Sequence, residues 1–326
     1  MLWRVFPDGG RFPFPASELA AALAFAGVVF ALTWRIERAQ VLRVFFAIYL
    51  VSILALYLIP SAVGGNIARV RFAALPLLVL VCALRSWRPR WLCATVLVLG
   101  LAWNISPLVW SYVQDDNDAA AKAATWTPAV AFLRGHLGPG YRVEAVDTAT
   151  HYAAAYLAEA GIPLARGWYR QDDFPQNEVL YRDDVGRRAY VAWLHKLGVR
   201  YVVLADAPTD YSSAAEAKIV RDFRPVFHGG KVTVYTVPHP QPIAPGIVSL
   251  TDSRIQLAVR RPGVTRIGVR YSPYWHASHG CLSDGRDGML RLRNLRARLV
   301  TITFVVSASR ALGTLAGEKP DCDLRS

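Results

Sequence analysis

The chain has 326 residues, 53% of them hydrophobic, and a formal net charge of +13. That length allows two or three folding units, and the positive charge forms no Lys/Arg block interleaved with aromatics, so nothing favours a nucleic-acid surface. Residues 1–113 hold ten Arg, no Lys and only Asp8, Glu18 and Glu37 as acids, whereas residues 114–326 hold 27 basic and 21 acidic side chains. The solvent around the chain therefore changes near residue 114.

The first fifteen residues, MLWRVFPDGGRFPFP, carry three Pro and two Gly and read as a loop leading into an apolar run. Four runs follow, at residues 16–34, 41–60, 62–84 and 91–113, each near the ~20 residues that cross a bilayer as a helix. Arg35, Arg38 and Arg43 lie between the first two runs, and Arg85, Arg88 and Arg90 between the last two, which places those short loops in the cytoplasm and both termini outside. An outward loop with no preceding span to export it carries a further expectation, that more spans belong upstream of Met1.

Beyond residue 114 the pattern predicts a small α/β domain at 114–240. Thr127-Pro128 reads as a helix start, YRVEAVDT at 141–148 alternates as a strand does, and a helix from His151 stops at Gly161. Val185, Ala189, Trp193 and Leu197 share a helical stripe that ends at Gly198. VRYVVLA at 199–205 suits a buried strand, Ser212 to Asp222 a helix, and Phe223 to Val237 a hairpin at Gly229-Gly230. VPHPQPIAPG at 237–246, with four Pro in ten residues, reads as a stiff linker. From 246 to 326 the period becomes two, which predicts a β-sandwich. The fold class is thus a membrane α-helical bundle of about four spans, then a small α/β domain and a C-terminal β-sandwich.

Several constellations are candidates for chemistry. In SAVGGNIARVRF, Gly64-Gly65 permit a sharp turn and Asn66 is a good N-cap. Asn66 and Arg69 share a helical face at the membrane boundary, with Arg71 on another. The choice there is between arginines that snorkel to headgroups and a specific lipid-phosphate contact. Asn104 and Pro107 interrupt the fourth run, as a kink facing a cavity or as an early helix end. Trp168, Tyr169, Arg170, Gln171 and Asn177 follow Arg166 in a loop, where rings beside amides suit a glycan; an amphipathic loop packed on the spans is the plainer alternative. His151 reads as a hydrogen-bonded structural residue or as a general base. Cys281 and Cys322 are expected to pair if the compartment is oxidising. His276, His279 and Cys281 resemble a zinc set only superficially, and a packed aromatic corner at Tyr274 and Trp275 is the preferred account. The adjacent pairs Asp172-Asp173 and Asp183-Asp184 could attract a divalent ion, but such spacing is weak, and the reading names no metal and no cofactor. There is no GxSxG, Gly-rich phosphate loop or HExxH in the chain.

Taken together, FPDGGRFPFP before a span, VGGNIARVRF at an outer boundary, HYAAAYLAEAGIPLARGWYRQ, LGVRYVVL and YSPYW resemble the C-terminal half of bacterial multispanning membrane proteins related to GT-C-fold glycosyltransferases. The resemblance implies a polyprenyl-phosphate-linked sugar as donor, an envelope glycan as acceptor, a plasma-membrane setting with extracytoplasmic C-terminal domains, and a role for Asn66 and Arg69 at the lipid phosphate. The carboxylate base of that group sits in an outer loop near the N-terminus, which has no counterpart here, so the resemblance also implies an active site incomplete on this chain alone. The alternative from another class is a noncatalytic, membrane-anchored carbohydrate-binding or envelope-assembly protein.

Overall fold

The computed structural model describes residues 12–167, 173–182 and 185–316. They divide into a helical unit, residues 12–117 with 173–176, and a strand-rich unit made of the described residues from 118 to 167 and from 177 to 316.

The helical unit comprises α1 (Ala16–Thr33), α2 (Gln40–Leu58), a three-ten segment Gly64–Ala73 that runs into α3 (Ala74–Leu84), and α4 (Arg90–Asn117). The stretches Ala16–Thr33, Glu37–Leu58, Gly64–Leu84 and Arg90–Asn117 are each long and apolar enough to cross a membrane. Only 11 to 28% of each stretch is buried, so apolar side chains make up most of the outward surface. Helix α1 buries one stripe, Ala22, Phe25, Ala26 and Val29, against Phe46 and Ile53 of α2 and Leu78 and Val81 of α3, the spacing of a single helical face. On α4 only Cys93 and Gly100 are buried.

The third stretch is not one regular α-helix. Ser61 Oγ accepts from Gly64 N at 3.1 Å, and the three-ten segment is already under way at Asn66, whose N–H donates to Val63 O at 2.9 Å. The expected N-cap at Asn66 is therefore replaced by Val63 as the flanking residue, because the chain tightens one turn earlier. Where the segment becomes α3, Asn104 of α4 accepts from Leu75 N at 2.7 Å and donates to Phe72 O at 2.5 Å. An early end does not account for Asn104 and Pro107: α4 continues through Pro107 to Asn117.

The strand-rich unit begins with α5 (Ala123–His136), which starts four residues before Thr127 and carries Pro128 within it. Then come β1 (Arg142–Ala145), α6 (Tyr152–Glu159), α7 (Arg187–Lys196), β2 (Val199–Ala205), α8 (Ala214–Arg221), β3 (Arg224–Gly229) and β4 (Val232–Thr236). The sheet order is β1-β2-β4-β3, with β1 parallel to β2 and the other pairs antiparallel. Alternation along β2 sends Tyr201, Val203 and Ala205 into one core with Trp126, Leu133 and Leu157, and Val202 and Leu204 into another with Tyr190, Leu194 and Val220. The sheet is thus covered on both faces, which explains the nearly continuous apolar run of β2. On α7 the buried face is Tyr190, Trp193, Leu194 and Leu197, one residue round from the expected stripe, and Ala189 is exposed.

Two antiparallel sheets follow, built from β5 (Ile247–Leu250), β6 (Arg254–Val259), β7 (Gly263–Arg270), β8 (Trp275–Ala277), β9 (Cys281–Asp284), β10 (Met289–Asn294) and β11 (Arg298–Phe304), with a helix α9 (Ala308–Ala316) after them. The orders are β7-β10-β9 and β5-β6-β11-β8, and Ile255, Leu257, Ile267, Leu290, Leu292, Val300 and Ile302 from both sheets share one core. The proline-rich segment between the sheets and the α/β part packs as a strap. Ile243 is 2% exposed; its N–H donates to Gly140 O at 2.9 Å and its C=O accepts from Gly268 N at 2.7 Å.

Gly198 ends α7 at φ +73, and a Cβ there would lie 2.3 Å from Ile243 Cγ2 and 2.7 Å from Ile243 N. Gly230 in the hairpin has φ +61 but nothing within 4 Å of a Cβ. Left-handed backbone alone costs a non-glycine residue ~1–2 kcal/mol, whereas Gly198→Ala must also displace the strap. In thermal unfolding of the whole chain, Gly198→Ala is expected to lose about 2–4 kcal/mol and Gly230→Ala about 1 kcal/mol. Equal losses would show that the strap does not lean on Gly198.

Candidate functional site

At the helical unit, the residues expected at the lipid boundary fall on one three-ten segment but do different things. The backbone of Phe12 and Phe14 lies over Gly64 and Gly65, where a Cβ would meet Phe12 O and Pro13 O, and Phe12 N donates to Ser61 O at 2.9 Å. Arg71 is paired with the Glu18 carboxylate, is 11% exposed, and lies 4.8 Å from the centre of the Phe72 ring. Its charge is already answered. Asn66 is half-buried, and its Oδ1 has no hydrogen-bond partner among the described residues. Arg69 is exposed; of the three, it is the cation left to meet an external anion.

In the strand-rich unit, two polar clusters sit inside the α/β layers. Glu144 of β1 and Glu216 of α8 are 0% and 1% exposed. Arg166 joins them, with Nε 2.7 Å from Glu144 Oε1 and Nη2 3.3 Å from Glu216 Oε2. Tyr190 of α7 donates to Glu216 Oε1 at 2.6 Å. Burial, and then the charges of Glu216 and Glu144, push the Tyr190 phenol well above its ordinary range, so it stays a donor. Arg166 thus points inward, as a tie between β1 and the helix layer rather than as part of a glycan-facing loop. Asn177 is likewise 1% exposed, and its Oδ1 accepts from Trp193 Nε1 at 3.0 Å; the side chain is part of the core. Trp168, Tyr169, Arg170 and Gln171 lie outside the described residues, as do Asp172, Asp183 and Asp184, while Asp173 is buried.

The second cluster lies beyond the carboxyl ends of the parallel pair β1 and β2, the end at which α/β sheets receive ligands. His151 Nδ1 stands 2.9 Å from Asp147 Oδ1 and its Nε2 4.0 Å from Asp210 Oδ1. The imidazole is partly open, and both carboxylates are buried. His151 itself has φ 60, a left-handed conformation that costs a non-glycine residue energy and gathers at functional positions. The loops after the two strands are laced together: Asp210 N donates to Asp147 O at 2.9 Å and Ala149 N to Pro208 O at 2.9 Å. Asp210 also accepts from the Ser212 hydroxyl at 2.6 Å, and Thr150 donates to Asp118 at 2.9 Å. Because the two carboxylates face different ring nitrogens, they do not converge on one point. Among the described residues no group of three His, Cys, Asp or Glu is placed to hold a metal ion.

Sequence reasoning missed Asp147, Asp210, Glu144, Glu216 and Tyr190. The signal was available for two of them: Glu144 is an acid set among apolar neighbours in an alternating strand, and Asp147 stands four residues before His151. Cys281 opens β9 and is disulfide-bonded, whereas Cys322 lies outside the described residues. Tyr274 and Trp275 are buried, with both rings packed edge-on against Phe304.

No family model, curated protein or solved structure matches the chain.

The buried charges make a separable prediction. Arg166→Leu removes the cation that two buried carboxylates share and is expected to cost about 3–5 kcal/mol, while Tyr190→Phe loses one charge-assisted bond, about 2 kcal/mol. Replacing Arg166, Glu144 and Glu216 together with Leu is expected to cost less than Arg166→Leu alone. Chemical denaturation of the whole chain checks the order, and a triple variant weaker than the single one would mean that the charges serve more than each other.

Proposed function

We propose that the chain is the membrane-embedded and outer part of a GT-C-like glycosyltransferase that works on a polyprenyl-phosphate-linked sugar in bacterial cell-envelope glycan assembly. In this reading the four apolar helices cross the plasma membrane. The Arg-bearing short loops face the cytoplasm, and the α/β part and the sandwich formed by the two β-sheets lie outside, where they orient the envelope glycan.

The observation that supports it is the exposed Arg69 on the tight turn at the end of a helical unit whose surface is mostly apolar. Transfer of a sugar from a lipid phosphate leaves negative charge on the phosphate oxygens. A guanidinium fixed at the boundary stabilises that charge as it develops, more than it stabilises the neutral glycosidic bond. Glu18 holds Arg71, and this pair supports the turn without neutralising Arg69. No residue of this chain is assigned as the catalytic acid or base.

In membranes carrying the longest natural form of the chain, Arg69→Ala is expected to slow turnover of the lipid-linked sugar by roughly a hundredfold while leaving the protein membrane-bound. Unchanged turnover, together with loss of glycan binding when the outer part is deleted, would transfer the chain to the noncatalytic carbohydrate-binding or assembly class. Protease added to sealed cells tests the sidedness: protection of residues 114–326 would reverse it.

A further inference from the structure

The two short connections between the helices, one after α1 and one after α3, form an open recess of about 520 Å³ lined by Arg35, Glu37 and Arg38 from the first and Arg85, Ser86 and Arg88 from the second. The lining holds four arginines and one glutamate, an excess of three positive charges, and among the described residues none of the four arginines forms an ion pair. Like charges at this spacing repel, so a fold that gathers them into a concavity gains from an anion placed there.

The local structure separates the arginines that build the recess from those that face it. Arg85 donates through Nη1 to Leu32 O at 2.8 Å and through Nε to Arg88 O at 3.2 Å. Arg43, outside the recess, donates to Thr33 O at 3.2 Å and Trp34 O at 2.5 Å. These two cover the last carbonyls of α1, which have no partner within the helix. Arg35, Arg38 and Arg88 are exposed and make no such bonds among the described residues. Ser86 and Trp87 both adopt left-handed backbone, with φ 54 and 58, a conformation costly for non-glycine residues. The turn they make carries Arg88 back to Arg85, so the recess is held in shape at the expense of local strain.

We infer that this recess binds a phosphate-bearing group, and that in the membrane the group is the headgroup of an anionic phospholipid in the leaflet that these loops meet. Three chemical features point to it. Guanidinium forks match phosphate oxygens bidentately; the volume suits a headgroup-sized ligand; and basic pockets between membrane helices take phosphorylated headgroups. The site is at different residues from Arg69, and the inference shares with the proposed function only the membrane setting of the helices.

The test uses the whole chain in nanodiscs of phosphatidylcholine with a minor fraction of phosphatidic acid, with retained lipid counted by native mass spectrometry. Arg38→Gln and Arg88→Gln are compared with Arg90→Gln, which removes an equal charge just outside the recess. Incorporation into nanodiscs and an unchanged far-ultraviolet circular dichroism spectrum verify that each variant is folded. Arg38→Gln and Arg88→Gln are expected to weaken retention of phosphatidic acid by roughly tenfold or more, and Arg90→Gln by less than about fivefold, the size of a general surface attraction. In a second arm, inorganic phosphate is titrated calorimetrically into nanodiscs of phosphatidylcholine alone. Saturable binding that Arg88→Gln abolishes upholds the site and names soluble phosphate as its source. Equal weakening by Arg90→Gln and Arg88→Gln, or saturable binding in neither arm, overturns the inference.

Discussion

Apolar side chains cover most of the outward surface of the four long helices, and a backbone polar group shut away beneath such a surface needs a partner within the protein. Within a regular helix the chain provides its own. The place where this fails is the junction between the three-ten segment and α3, and there Asn104 supplies what is lacking. One amide gives an acceptor to Leu75 N and a donor to Phe72 O, so the break in the third stretch is mended from the fourth. Gly100, one turn earlier on α4, lets Leu78 approach so closely that a Cβ would lie 2.6 Å from its Cδ1. The pair Gly100 and Asn104 therefore sets both the spacing and the register of α3 against α4.

The strand-rich unit meets the opposite demand, because it must exclude water from two faces of one sheet. Tyr201 and Val203 on one side and Val202 and Leu204 on the other achieve this from a single strand. The cost is that Glu144, on the neighbouring strand, is buried as well. Arg166 answers that burial and, by reaching Glu216, which also accepts from Tyr190, ties β1 to α8 and α7. Such a network adds little net stability over an apolar core of equal volume, yet it penalises any packing in which one member is left behind. The strap through Ile243 works differently, by shape: its backbone is bound on both sides, and Gly198 and Gly268 leave it room.

Much of this was legible in advance because it depends on how residues are spaced. Runs of about twenty apolar residues announce helices that could cross a bilayer, and VRYVVLA announces a buried strand whatever its neighbours. The hairpin at Gly229-Gly230 and the helix stops at Gly161 and Gly198 follow from residues that alone tolerate positive φ easily. What spacing cannot report is the distant partner. Arg166 looks like a loop cation until Glu144 and Glu216, 22 and 50 residues away, are seen to close on it. Asn104 looks like a helix flaw until Leu75 N and Phe72 O, the backbone groups it serves, are placed beside it. The strands β8 and β9, of three and four residues, are too short for their spacing to carry a period.

The same distinction orders the charges. In the described structure, Arg71 is matched by Glu18, Arg166 by Glu144 and Glu216, and Arg266 by Asp287, while Arg43 and Arg85 are taken up by helix-end carbonyls. For Asp287, burial works against ionisation, but the hydrogen bond and charge of Arg266 outweigh it and hold the carboxyl below its usual range. Once these pairs are set aside, the exposed arginines of the helical unit stand only at helix ends and in the connections, with none in the apolar middle. The extra positive charge of the first 113 residues thus follows where the apolar runs begin and end and does not form a single surface.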